Sequence, residues 1–205
     1  MSRPRSHCPN LVTMGSVNRL EVSRESGGPA WIELLAGDIT AVRADAIVNA
    51  ANRELAGGGG VDGAIHRAAG PEMAAELRAR YPGCPTGSAV ITGPGRLAEH
   101  GVRWVVHAVG PIWRGGRGGE EALLSSAYGT SPHLADQAGA RSVAFPAISA
   151  GVYGYPLDQA AAVALRAVRD GLTRAHGTER VIFVLFDRNA CQAFERALQD
   201  LAAET

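Results

Sequence analysis

Asp45-Ala46-Ile47-Val48-Asn49-Ala50-Ala51-Asn52-Arg53-Glu54-Leu55-Ala56-Gly57-Gly58-Gly59-Gly60-Val61-Asp62-Gly63 is the stretch that decides how this chain is read. An apolar run, Ala46-Ile47-Val48, ends in two carboxamides, Asn49 and Asn52. Four consecutive glycines follow, then one carboxylate, Asp62, and then a helical pattern. A carboxamide both donates and accepts, so it can grip sugar hydroxyls from either side. Consecutive glycines let backbone N–H groups approach an anion with no Cβ in the way. A lone acid at the mouth of such a loop is a candidate base or water-orienting group. The stretch therefore points to a phosphorylated sugar as ligand and to its hydrolysis as a reaction.

Outward from this stretch, from Trp31 on, short apolar runs alternate with longer helical patterns. Strands are expected at Trp31–Leu35, Ala46–Asn49, Ser88–Thr92, Trp104–Ala108, Val143–Pro146 and Val181–Phe186. Helices are expected at about Asp62–Arg80, Glu120–Ala138, Leu157–His176 and Ala190–Ala202. Ala161, Leu165, Val168 and Leu172 recur at helical spacing and make one apolar face, with Pro156 just ahead of it. Ala190, Phe194, Ala197, Leu198 and Leu201 do the same in the last helix. The alternation predicts an α/β domain with a mixed, largely parallel central sheet. Gly37-Asp38-Ile39, Asn49 to Asp62, Ala147 to Gly154 and Asp187-Arg188-Asn189 each follow the carboxyl end of an expected strand, the edge where open α/β sheets bind ligands. Residues 1–29 show no sustained periodicity and read as a flexible tail ahead of a domain over 30–205, with Met14 an alternative start.

The formal net charge is zero, so no field draws the chain to nucleic acid or to a membrane surface. All 20 basic residues are arginine. The absence of lysine excludes a P-loop and any Schiff-base mechanism. It leaves an anionic ligand to backbone amides, helix N-termini or arginine. Arg114 and Arg117 form a local basic patch, and Gly115–Gly119 beside it reads as a mobile loop. Three cysteines, Cys8, Cys84 and Cys191, are too scattered for a disulfide framework or a zinc site. With no secretory h-region and no apolar stretch of bilayer length, the cytoplasm is the expected compartment, and a monomer the expected state.

Taken together, these segments resemble a known family. Gly37-Asp38-Ile39-Thr40, Asp45 to Asn52, Gly57 to Gly70, Ala144 to Pro156 and Val184-Leu185-Phe186-Asp187 are similar, in this order, to a macrodomain of the MacroD type, the branch that binds and hydrolyses ADP-ribose derivatives. The resemblance implies a three-layer α/β/α fold with no metal and no cofactor. It implies that Asp38 accepts the adenine amino group, that the Ile39 backbone assists, and that Phe186 packs on the adenine face. It further implies that Gly58, Gly59, Gly60 and Val61 on one side, and Ser149, Ala150, Gly151 and Val152 on the other, hold the pyrophosphate, that Tyr153 lies beside the distal ribose, that Asn52 holds its hydroxyls, and that hydrolysis depends on Asp62. One departure is Ala150, where Thr is more usual; with a backbone N–H contact there the change costs little, whereas a contact through the hydroxyl would be lost with a modest drop in affinity.

The implied activity is removal of ADP-ribose from acidic side chains of modified proteins, deacetylation of O-acetyl-ADP-ribose, or both. The ester is cleaved by a water positioned by Asp62 and the substrate pyrophosphate. The alternative is a non-catalytic reader of ADP-ribose or ADP-ribosylated protein; Asp62 together with Asn52 favours the enzyme. Plainer readings stand beside these. Asp62 also suits a helix N-cap, Asn49 a structural turn, His66 and His107 packing positions, and Phe186 ordinary core. Gly58 to Gly63 matches a dinucleotide fingerprint, but four residues separate Asn52 from the glycines, and Glu72 and Glu76 fall in a helix. Ala147 to Gly151 resembles a nucleophile elbow, but the one late histidine, His176, precedes the last strand. Ser149 is therefore read as a phosphate-loop residue.

Overall fold

The computed structural model describes residues 18–204. Its strands are β1 (Arg19–Ser23), β2 (Pro29–Ala36), β3 (Ala46–Ala50), β4 (Ala89–Thr92), β5 (Trp104–Ala108), β6 (Ser142–Phe145) and β7 (Arg180–Leu185). Its helices are α1 (Gly60–Ala69), α2 (Pro71–Arg80), α3 (Glu120–Gln137), α4 (Leu157–Thr173) and α5 (Arg188–Ala203). The strands form one sheet in the order β1-β2-β7-β6-β3-β5-β4. From β2 to β5 neighbouring strands are parallel, and the two edge strands are antiparallel to their neighbours.

Alternation along a strand sends successive side chains to opposite faces, and here both faces are covered. Along β7, Val181, Phe183 and Leu185 join a core with Leu124, Tyr128, Leu165, Val168, Phe194 and Leu198 of α3, α4 and α5. Ile182 and Val184 join a second core with Ile65, Met73 and Leu97 of α1, α2 and a 3₁₀ segment. This is the expected three-layer arrangement, and it explains why β7 reads as a continuous apolar run. Tyr128, Phe145, Phe183 and Phe194 form a ring cluster with centroids 5.0 to 6.0 Å apart, within the range of favourable aromatic pairing. Truncating such a buried Phe to Ala typically costs about 3–5 kcal/mol.

The amino edge of the sheet is locked by one side chain. Asp45 Oδ2 accepts from the Arg141 N–H, the Ser142 N–H and the Ser142 hydroxyl, each at 2.9 Å. The Asp45 carbonyl accepts from Arg103 and Trp104. This ties β3, β5 and β6 in register and leaves the opposite edge to long loops.

Three expectations need correction. Residues 19–23, assigned to a flexible tail, form β1 and pair with β2 from Arg19↔Glu33 to Ser23↔Pro29. The two-residue period was present, but only Leu20 and Val22 are apolar in an edge strand diluted by Arg19, Glu21 and Ser23. The fold therefore begins before the expected boundary at 30, and residues 1–17 lie outside the described residues. The helix expected over 62–80 is two helices, because Gly70 takes a φ of 80° and Pro71 restricts the residue ahead of it. Finally, β6 and β7 stop at Phe145 and Leu185, so Pro146 and Phe186 begin loops. Among the described residues no helix is long and apolar enough to cross a membrane.

Candidate active site

The parallel strands all end on one edge, and the sheet order fixes what stands beside what along it. The Gly37 N–H donates to the Leu185 carbonyl at 2.9 Å, so Asp38 and Phe186 leave adjacent strands side by side. Asp38 caps the 3₁₀ turn Ile39–Ala41. Its Oδ1 accepts from the Thr40 N–H (2.9 Å) and the Thr40 hydroxyl (2.7 Å). Ile39 is buried beneath it. Phe186 is 82% exposed, which overturns its reading as core. The large exposed hydrophobics among the described residues are Leu35, Ile112, Val152 and Phe186. They lie at the carboxyl ends of β2 and β7 or in the segments that follow β5 and β6. All four therefore lie toward the carboxyl-terminal edge of the sheet.

Two loops face the middle of this edge. Gly59 is the N-cap of α1 and makes no side-chain cap, so no cap side chain meets the first-turn N–H groups, an arrangement that suits an anion. Nothing lies within 4 Å of where a side chain at Gly59 or Gly60 would begin. In the second loop Ser149 adopts a φ of 65°, uncommon for a non-glycine residue. A Cβ on Gly110 would meet Ser149 Oγ at 2.2 Å and Ile148 Cγ2 at 2.5 Å, so the segment after β5 must be bare there. The Tyr128 hydroxyl accepts from the Ile148 N–H (2.7 Å) and donates to the Pro146 carbonyl (3.2 Å). Tyr155 N–H to Ser149 O (3.1 Å) and Gly154 N–H to Gly151 O (2.9 Å) close the loop. Ala150 is half-buried, while Gly151 and Val152 are exposed. Ser149 Oγ is buried with no partner among the described residues.

The segment after β5 is built in. The Trp113 N–H donates to Tyr153 O (2.9 Å), and the Trp113 and Tyr155 rings lie 4.5 Å apart. The glycine-rich stretch expected to be mobile instead wraps the buried Glu120. Its carboxylate accepts from the N–H groups of Arg114 (3.0 Å), Gly116 (3.2 Å) and Gly118 (2.6 Å). Glu120's own backbone N–H and then these three, acting against burial, hold the carboxyl below its usual range.

Asp62 is 6% exposed and is the third residue of α1, not its N-cap. A carboxylate in a first helical turn is favoured by the helix dipole. Oδ1 accepts from Asn49 Nδ2 at 2.7 Å and lies 3.3 Å from His66 Nε2. Among the described residues no hydrogen bond reaches Oδ2. A Cβ on Gly58 would stand 3.2 Å from Asp62 Oδ2 and 3.7 Å from Asn52 Nδ2, so a side chain there would crowd this corner. Asn52 also staples its own loop, with Nδ2 donating to Gly57 O (2.7 Å) and Oδ1 accepting from the Ala56 N–H (3.1 Å). Burial, then the charges of Glu54 and Asp62, push the Tyr153 hydroxyl up, so Tyr153 belongs to this end of the edge.

The sequence reading passed over three residues here. Asn49 is not a turn residue but a fully buried strand residue bonded to Asp62. His66 lies four residues after Asp62, on the same helix face, a spacing that alone pairs side chains. His107 pairs with Asn49 across β3 and β5, a relation that needs the strand register. Among the described residues no cluster of three or more His, Cys, Asp or Glu is placed to hold a metal.

Comparison with known proteins agrees with this geometry. The family model for the macro domain matches residues 48–164. A protein of Citrobacter rodentium named O-acetyl-ADP-ribose deacetylase is 50% identical over 170 residues, 82% of this chain and 94% of that one. Its namesake in Salmonella typhimurium is 51% identical over 170 residues, 82% and 93% of the two chains. Among solved structures, the Oceanobacillus iheyensis macrodomain with ADP superposes with a TM-score of 0.80 at 36% identity, covering 91% of this chain and 98% of that one. The Trypanosoma brucei macrodomain in complex with ADP-ribose gives 0.73 at 39% identity, over 82% and 68%.

Proposed function

Because the chain belongs to the macro domain family, we propose that it is an ester hydrolase acting on ADP-ribose derivatives: O-acetyl-ADP-ribose, and ADP-ribose carried on the acidic side chains of proteins. The observation that carries this reading is the state of Asp62. One oxygen is held by Asn49 with His66 close by, and the other carries no hydrogen bond and faces the open corner at Gly58 beside Asn52.

In this reading adenine lies on Phe186 with its amino group toward Asp38 and its edge toward the Ile39 backbone. The pyrophosphate lies between the uncapped start of α1 (Gly58 to Val61) and the Ser149 to Tyr153 loop. Backbone N–H groups and a helix N-terminus supply the positive field that a lysine-free chain needs. Asn52 turns its free N–H to the distal ribose hydroxyls, and Tyr153 closes that end. Asp62 Oδ2 and the substrate pyrophosphate hold a water against the ester carbonyl carbon. The water oxygen bonds to that carbon, and its proton passes to Asp62. The tetrahedral intermediate then expels the ribose oxygen, which takes the proton back. Acetate or a protein carboxylate leaves, together with ADP-ribose. A positioned general base contributes about 10²–10⁴-fold in rate.

The test follows release of free ADP-ribose from O-acetyl-ADP-ribose and from a glutamate-modified protein, with wild type and Asp62→Ala. Release by wild type and a loss of at least about 10²-fold in the variant are expected. Equal rates would remove Asp62 from the mechanism. ADP-ribose binding by calorimetry with no release from either substrate would make the protein a reader instead.

A further inference from the structure

Behind Asp62, away from the opening, runs a line of side chains that the mechanism above does not use. Thr92, His107 and Asn49 are each 0% exposed and stand on the adjacent strands β4, β5 and β3. Thr92 Oγ1 lies 3.0 Å from the Gly93 carbonyl and 2.9 Å from His107 Nε2. His107 Nδ1 lies 3.2 Å from Asn49 Nδ2, and Asn49 Nδ2 lies 2.7 Å from Asp62 Oδ1.

The chemistry of the two ends fixes every proton between them. A carbonyl only accepts, so the Thr92 hydroxyl donates to Gly93 O and offers its lone pairs to His107. The proton of a neutral His107 therefore sits on Nε2, leaving Nδ1 a bare acceptor. A carboxylate also only accepts, so the Asn49 group facing Asp62 is the NH₂. Its two hydrogens match the two acceptors, Asp62 Oδ1 and His107 Nδ1. Burial, with the charge of His66 adding and that of Asp62 opposing, pushes His107 down to about 3, consistent with a neutral ring. Asn49 Oδ1 is buried with no partner among the described residues, so the nitrogen alone decides which way this amide points. Turned over, its oxygen would face a carboxylate and a bare ring nitrogen together.

We propose that Thr92, His107 and Asn49 form a positioning relay: Thr92 selects the His107 tautomer, the tautomer fixes the Asn49 carboxamide, and the carboxamide holds Oδ1 of Asp62 so that Oδ2 faces the substrate. All three are fully buried and act on the site through Asp62, with Thr92 acting through two intervening side chains. The effect on turnover rests on the hydrolase reading above; the proton placement does not.

The test is Thr92→Val, which keeps the shape and removes the hydroxyl, with Thr92→Ser as rescue. In the valine variant the Nε2 proton loses its acceptor and the Nδ1–H form becomes competitive. Nδ1–H then draws Asn49 Oδ1 toward it and turns the amide oxygen on Asp62. Turnover is expected to fall about 10- to 100-fold, as misplacement of a catalytic group by an ångström does. The Kd for ADP-ribose should stay within about threefold, because binding uses other groups. Thr92→Ser should recover most of the turnover, which a purely packing role for Thr92 would not produce. The ¹⁵N shifts of the His107 ring report the tautomer directly and are read first on wild-type protein without substrate. A bare Nδ1 with a protonated Nε2 supports the relay. A protonated Nδ1 or a cationic ring at neutral pH overturns it, whatever the variants do and even where no turnover is found. Wild-type turnover in Thr92→Val overturns it as well.

Discussion

Phe186→Ala separates ligand binding from folding more cleanly than any other change at this edge. The ring is 82% exposed, so the folded protein gains little from it, and truncation should leave thermal stability within the small range typical of surface substitutions, about 0.5 kcal/mol. In the proposed binding mode its contribution appears only with ligand. Stacking of a base on an aromatic ring is worth about 1–3 kcal/mol, so the Kd for ADP-ribose should rise about 5- to 150-fold. Calorimetry with ADP-ribose measures this, and titration with a ligand lacking the base, ribose 5-phosphate, supplies the control. That ligand cannot reach Phe186, so its affinity should not change. Unchanged affinity for ADP-ribose in Phe186→Ala would refute the placement of adenine. An equal loss for both ligands would mean that the substitution disturbed the neighbouring loop rather than a stacking contact.

Two further outcomes follow from buried groups. Tyr128→Phe removes the hydroxyl that bridges Pro146 O and Ile148 N, leaving two buried backbone groups unpaired at about 1–3 kcal/mol each. The melting temperature should fall by several degrees and ADP-ribose should bind more weakly; an unchanged melting curve would show that the bridge is dispensable. For pH, His107 in the fold stays neutral down to about 3, whereas an unfolded histidine takes its proton near pH 6.5. Between these values the unfolded state holds the extra proton, so stability falls as pH drops from about 6.5 toward 3, by up to about 1.4 kcal/mol per unit, and His107 contributes no slope above neutral pH. Urea midpoints at pH 7 and pH 5 should drop less steeply in His107→Gln; parallel drops would mean that His107 is not the group responsible.

Most of the layer structure was legible because β7, α4 and α5 carry strong periodicity and their partners lie on both faces of one sheet. The four loop segments at the carboxyl edge were legible because polar, glycine-rich stretches interrupt those patterns just where strands end. What escaped was of three kinds. β1 has only Leu20 and Val22 turned inward, too little signal against Arg19 and Glu21. The group behind Asp62 escaped because hydrogen bonds between strands obey register, not sequence distance. Asn49 and His107 are 58 positions apart in the chain and directly opposite in the sheet. Glu120 is a third case. Glycines around it signal freedom of the backbone, yet that freedom lets three N–H groups converge on one carboxylate.

The order of strands has a consequence for what this edge can tell apart. The segments carrying Asp38 and Asp62 leave β2 and β3, with β7 and β6 between them. At about 4.8 Å per strand the two ends stand roughly 14 Å apart, and the ladder of hydrogen bonds between them allows neither to approach the other. The sheet therefore works as a caliper of fixed opening. In the binding mode proposed above, a nucleoside monophosphate or a ribose phosphate would occupy one jaw. Only a molecule of the right length occupies both, and its second contact forms at the high effective concentration that a short tether confers. In that binding mode, selectivity for a two-phosphate linker comes from the spacing of strands rather than from any side chain that counts phosphates.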